Sequence, residues 1–132
     1  VVQRHEAKRA GLHYDFRLEL PTDGEKVFVS WAVRKGLSES PGVKRLGIRT
    51  DDHDVKWGTF EGIIEDDYGA GKVTIWDSGR YKMLSPIKNV AELNRARVFE
   101  VELFGKKIKG KYRFIKTKKG WLIERIGDED DK

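Results

Sequence analysis

From Leu12 to Leu20, apolar and polar residues alternate without a break. Leu12, Tyr14, Phe16, Leu18 and Leu20 share one face; His13, Asp15, Arg17 and Glu19 share the other. A two-residue period is that of a half-buried strand. Similar short runs recur along the chain with turn residues between them. VVQRH at the start, Val27–Val33, Leu46–Thr50, Phe60–Ile64, Lys72–Trp76, RYKML, Val98–Gly105, Lys109–Thr117 and Gly120–Gly127 all read as strands. One helix is expected near Asn89–Ala96, opening on an asparagine suited to an N-cap. So many short strands with one or two short helices predict an all-β fold, a single small β-barrel. The domain is expected to span residues 1–127, and the acidic segment 128–132 to fray.

The polar face of Leu12–Leu20 is unusual for a surface. Residues i and i+2 of a strand point the same way about 6.5–7 Å apart. His13 and Asp15 can therefore converge on one ion, and Arg17 can reach an anion beside it. The competing reading is an edge strand with a solvated, charge-balanced face. All three histidines of the chain, His5, His13 and His53, lie in polar segments with Asp, Glu or Arg nearby. Two histidines and one aspartate can make a facial set of three ligands that leaves positions open for water and substrate. Nitrogen and oxygen donors without sulfur suit manganese, zinc, iron or cobalt better than magnesium. An arginine fork and a lysine beside such a metal are what phosphate binding requires, and Arg17, Lys35 and Arg45 supply them.

Composition narrows the field. The chain has no cysteine, which excludes disulfides, thiolate nucleophiles and cysteine-ligated zinc or iron–sulfur centres. No run of about 18 apolar residues suggests a membrane span, and no apolar leader is visible, so a cytoplasmic protein is expected. The formal charge is +5; the last five residues, DEDDK, carry −3, which leaves +8 on residues 1–127. That excess points to an anionic partner. The basic run Lys106, Lys107, Lys109, Lys111, Arg113, Lys116, Lys118 and Lys119 either follows a nucleic-acid backbone or forms a solvated strand face. Gly69-Ala70-Gly71-Lys72 fails as a phosphate loop, because Val73 stands where a Ser or Thr is needed, and it reads as a hairpin turn.

Taken in order, VVQRH, LHYDFRLEL, SWAVRKG, PGVKRL, DDH, FEGII and YGAGKVTIWDSG resemble the 3′-phosphoesterase domain of bacterial ligase D, a family that also has free-standing archaeal members. The resemblance runs from residue 1 to about residue 82, with a motif-poor continuation to Ile126. It implies a small β-barrel, dependence on Mn²⁺ with Co²⁺ or Zn²⁺ as alternatives, and healing of 3′ ends in DNA repair by non-homologous end joining. Family members remove a 3′-terminal ribonucleoside from a primer strand and then hydrolyse the remaining 3′-phosphate to a 3′-hydroxyl. Carried over by position, His5, His13 and Asp15 are the metal ligands and Arg17 is a phosphate contact. His53 is a second phosphate ligand or transition-state stabiliser, Gln3, Lys35 and Arg45 are supporting groups, and Glu19 receives no role. The expected partners are DNA or DNA–RNA 3′ ends of a primer–template, beside a ligase and a polymerase, with the domain acting as a monomer.

Three features depart from the family pattern. The spacing between His5 and His13 is two residues longer than usual, which a bulge or looser turn at Gly11 can absorb. Trp57 stands where a tyrosine is common, and an upstream arm that contributes active-site residues is expected to be missing. Two other readings remain open on the residues alone. One is a non-catalytic basic barrel that binds single-stranded or primer–template ends. The other is a metal-dependent phosphatase of small molecules.

Overall fold

The computed structural model describes residues 1–65 and 70–127. The acidic segment 128–132, and residues 66–69 of the glycine-rich turn, lie outside the described residues. Among the described residues there are ten strands: β1 (Val2–Ala7), β2 (Gly11–Thr22), β3 (Glu25–Val33), β4 (Lys44–Asp54), β5 (Gly62–Ile64), β6 (Gly71–Asp77), β7 (Gly79–Met83), β8 (Val98–Gly105), β9 (Lys109–Lys116) and β10 (Trp121–Arg125). They pair antiparallel in one sheet of order β5-β6-β1-β2-β3-β4-β10-β9-β8-β7. A 3₁₀ turn, Val55–Thr59, and a short helix α1, Val90–Arg95, complete the fold. Asn89 caps α1 as expected, its side chain accepting a hydrogen bond from the Glu92 amide at 2.9 Å.

The all-β expectation holds, and the barrel takes the form of a rolled sheet whose ends are not joined by a ladder. Only Ser78 separates β6 from β7 in the chain, yet β7 lies at the far edge of the sheet. The sheet must therefore curl back on itself, helped by the ordinary strand twist. Side chains hold the returning edge. The Asp77 carboxylate accepts from the amides of Lys106, Lys107 and Ile108 at 2.9, 3.0 and 2.8 Å. The Tyr81 hydroxyl donates to the Glu19 carbonyl of β2.

The rolled sheet encloses one apolar core. Phe16, Leu18 and Leu20 of β2 enter it with Val29, Trp31 and Val33 of β3, and Leu93 of α1 covers one end. Opposite them stand Phe99, Tyr112, Phe114, Trp121 and Ile123 from β8, β9 and β10. Aromatic contacts dominate: Phe99 stacks on Phe114 at 4.6 Å and Trp31 tilts against Phe114 at 5.1 Å, geometries that add to plain burial. Leu12 departs from the alternation and is 44% exposed, because it lies beyond the core beside the β1–β2 turn.

Most strands differ from their expected limits by one to four residues at an end, and for two the physical reason is plain. β4 runs on past Thr50 to Asp54, since its polar end still pairs with β3. β5 is confined to Gly62–Ile64, because Phe60 closes the preceding 3₁₀ turn through its amide on the Trp57 carbonyl at 3.1 Å. The basic run does not form one stripe. Lys106 and Lys107 occupy the β8–β9 turn, Lys118 and Lys119 the β9–β10 turn. Between them Arg113 is ion-paired with Glu100 at 2.9 Å and Glu124 at 3.7 Å.

Candidate active site

Of the polar face of β2, Glu19 is exposed, whereas Asp15 and Arg17 are buried and His13 half-buried. Together with the adjoining faces of β1, β3, β4 and β6, the last three line a cavity of about 490 Å³ on the side of the sheet away from the core. The β1–β2 hairpin sets its floor. A three-residue turn ends at Gly11, whose φ of +79° suits a residue without Cβ. The ladder below is regular, pairing Ala7 with Gly11, His5 with His13 and Gln3 with Asp15. The β1–β2 pairing thus contains no bulge, and the turn at Gly11 accommodates the spacing.

This register brings three metal-competent donors together. One ligand atom from each of His5, His13 and Asp15 lies within 4.8 Å of the others. His5 Nδ1 is 3.5 Å from Asp15 Oδ2, and His13 Nε2 is 3.2 Å from Asp15 Oδ1. His13 Nδ1 lies 3.2 Å from the Gly11 carbonyl, which can accept only from a protonated nitrogen. That contact leaves Nε2, on the Asp15 side, as the ligating atom, the usual arrangement behind a metal-bound histidine. The hydrogen bond to Asp15 raises the His13 pKa, against its burial. Burial alone would raise Asp15, but the His13 hydrogen bond and the charges of His13, Arg17 and His5 hold its carboxyl below the usual range. A buried carboxylate with two imidazoles on it is a site that a divalent cation fits by donor type.

Arg17 stands next to this set, only 8% exposed. Its Nε donates to Gln3 Oε1 at 2.7 Å, its Nη1 to Ser30 Oγ at 2.8 Å, and its Nη2 is 3.8 Å from Asp15 Oδ2. Gln3 is fully buried and uses both ends of its amide. Because a guanidinium only donates, Oε1 must face Arg17. The amide nitrogen then donates to the carbonyls of Trp57 and Phe60 at 2.6 and 3.1 Å. One glutamine thus fixes the arginine fork and ties the 3₁₀ turn to the cavity. Nη2, the corner nearest the donors, keeps hydrogen-bonding capacity for an anion.

His53 reaches the cavity through a bulge. Phe28 pairs with His53 while Ser30 pairs with Thr50, so two steps along β3 span three along β4. In a regular ladder Asp52 would face the cavity; the additional residue shifts the phase and presents His53 instead. Its Nδ1 lies 3.1 Å from Arg17 Nη1, a hydrogen bond when the imidazole carries its proton on Nε2. Burial, and then the Arg17 charge, lower the His53 pKa from 6.5, so the ring is neutral at pH 7. The Trp57 indole meets it edge-on at 6.1 Å and forms part of the wall.

Gln3, His5, His13, Asp15, Arg17 and His53 therefore share one cavity. Lys35 and Arg45, expected beside them, do not line it. Arg45 lies on β4 in phase with Gly47, whose position faces the core residues Trp31, Val33 and Ile123. Lys35 is exposed in the turn that follows β3. The cavity is lined instead by Ala32 of β3 and by Arg34 in the turn that follows it, while Ser30 of β3 holds Arg17. Ser30, Arg34 and Thr50 were missed from sequence, although extending the alternation of SWAVRKG would have found Arg34.

A donor set for a divalent cation beside a buried guanidinium, both opening into one cavity, defines a site of the kind that phosphoesters require. Comparison with known proteins gives the family. The DNA Ligase D 3′-phosphoesterase domain matches residues 3–116, and the chain belongs to it. The chain is 44% identical over 133 residues to the multifunctional non-homologous end joining DNA repair protein LigD of Mycobacterium tuberculosis (strain ATCC 25618 / H37Rv), covering 99% of this chain and 16% of that protein. It is 40% identical over 136 residues to LigD of Mycolicibacterium smegmatis, covering 98% and 17%, and 42% identical over 117 residues to LigD of Pseudomonas aeruginosa, covering 88% and 13%. The chain thus spans about one sixth or less of these relatives, which are named for end joining. Among the described residues no helix is long and apolar enough to cross a membrane.

Proposed function

We propose that the domain is a manganese-dependent phosphoesterase that heals 3′ ends during DNA repair. It removes a 3′-terminal ribonucleoside from a primer strand, leaving a 3′-phosphate, and then hydrolyses that phosphate to a 3′-hydroxyl. The observation that carries this reading is the convergence of His5, His13 and Asp15 within 4.8 Å of one another, in the cavity that also holds Arg17 and His53.

His5, His13 and Asp15 would hold the divalent cation, which supplies charge to polarise a phosphate oxygen. Arg17, held by Gln3 and Ser30, presents Nη2 to a second phosphoryl oxygen without any reorganisation at the moment of reaction. His53 donates a hydrogen bond from Nε2 to the phosphate as a neutral imidazole, since burial and then the Arg17 charge lower its pKa. Water attacks the scissile phosphate in both steps, releasing first the 5′-oxygen of the terminal ribonucleoside and then the 3′-oxygen of the primer. The positive excess of residues 1–127 favours a primer–template end as substrate over a small phosphomonoester. The domain would act as a monomer on DNA or DNA–RNA ends that a ligase and a polymerase also use.

The test is a primer–template whose primer ends in one ribonucleotide, incubated with Mn²⁺, Mg²⁺ or EDTA. Manganese-dependent conversion to a 3′-phosphate and 3′-hydroxyl, abolished by His13→Ala, is the expected result. Tight binding of the end without conversion under any metal would favour the non-catalytic binding module instead.

A further inference from the structure

Arg17 and Arg34 are the two arginines that line the cavity, and they differ in every other respect. Arg17 is buried and committed to Gln3, Ser30 and His53. Arg34 is exposed and makes no hydrogen bond or ion pair among the described residues. The β2–β3 register pairs Tyr14 with Val33 and Arg17 with Ser30. Arg34 is the first residue after β3, just beyond the Val33–Tyr14 pair, and lines the cavity on the His13 side of the donor set, away from Arg17. Two guanidinium groups therefore flank the donors. One is preorganised; the other is long, exposed and opens into the same cavity.

We propose that Arg34 contacts the phosphodiester adjacent to the reacting 3′ end, and so sets the preference for polynucleotide ends over isolated phosphomonoesters. The inference rests on the phosphoesterase reading above and deepens it. A single exposed arginine on a phosphate adds affinity without base selectivity, because the backbone is the same whatever the sequence. It is a specificity contact for chain length: a mononucleotide offers it nothing.

Three substrates separate the possibilities: an oligodeoxynucleotide ending in a 3′-phosphate, a mononucleoside 3′-phosphate, and the same oligonucleotide with a neutral methylphosphonate at its last linkage. With Mn²⁺, Arg34→Ala is expected to lower kcat/KM on the oligonucleotide about 10-fold, the size of one charge-assisted contact, and to leave the mononucleotide unchanged. The methylphosphonate should cost the wild type the same factor and cost Arg34→Ala nothing more. Arg34→Lys should restore most of the loss. Fluorescence anisotropy of the oligonucleotides in EDTA should show the same pattern, with the salt slope of Arg34→Ala shallower by about 0.7, that of one phosphate contact on a single strand. Equal losses on oligonucleotide and mononucleotide would overturn the inference and leave the phosphoesterase reading intact. A wild type that turns over none of the substrates would sink that reading. Anisotropy would still decide on Arg34, and binding insensitive to both changes would refute it.

Discussion

Gln3→Met replaces a fully buried amide by an apolar side chain of similar length, and so removes hydrogen bonds without opening a large cavity. Three bonds disappear together. Arg17 Nε loses Gln3 Oε1 at 2.7 Å, and the carbonyls of Trp57 and Phe60 lose Gln3 Nε2 at 2.6 and 3.1 Å. The first involves a charged, buried donor and is worth about 2 kcal/mol; the two carbonyls are partly accessible and contribute about 0.5 kcal/mol each. The expected destabilisation is therefore about 3 kcal/mol, or roughly 10 °C in Tm for a domain of this size. Urea denaturation followed by tryptophan fluorescence measures it directly. A double-mutant cycle with Arg17→Met should return a coupling of about 2 kcal/mol, because the arginine bond is the shared element. A loss below about 0.5 kcal/mol, within the range of an ordinary surface substitution, would mean that water replaces the glutamine. The account of Gln3 as the tie between Arg17 and the 3₁₀ turn would then be wrong.

Asp77 links stability to pH. Burial alone would raise its pKa, but the amides of Ile108, Lys106, Lys107 and Ser78 outweigh that and hold the carboxyl below 3.8. Its contribution is thus fully present above about pH 4 and is lost as the pH falls through the depressed folded value. The wild type should lose more stability than Asp77→Asn between pH 5.5 and pH 2.5 in urea titrations; parallel curves would show that the carboxylate is not what holds the β8–β9 turn. Gly71→Ala tests the β1–β6 contact. A Cβ there would lie 2.0 Å from the Glu6 carbonyl oxygen at a φ of +150°, and strain of about 3 kcal/mol is expected; an unchanged Tm would refute it.

The alternation of Leu12–Leu20 was legible because most of β2 is committed on both faces, Phe16, Leu18 and Leu20 to the core and His13, Asp15 and Arg17 to the cavity. A shared site for His5 and His13 was legible too, since a hairpin turn between two short strands brings their residues opposite each other. The position of His53 was not: it depends on a one-residue bulge between Thr50 and His53 that no local residue announces. Lys35 and Arg45 were placed by motif, whereas the turn after β3 puts Arg34 in the cavity and strand phase puts Arg45 on the core-facing side of β4. The burial of Gln3 was hidden for a related reason. Its partners are main-chain carbonyls of residues 57 and 60, distant in sequence and unspecified by side-chain type.

The hairpin between His5 and His13 has a consequence for how such a domain can diverge. With its three-residue turn retained, the loop can change length only in whole rungs, two residues at a time, if the histidines are to stay opposite each other. Each rung raises or lowers the wall formed by Ala7 and Ala10 and leaves the donors below untouched. The depth of the opening is therefore an independent evolutionary variable, able to be fitted to blunt, recessed or bulky ends while the chemistry beneath is inherited unchanged.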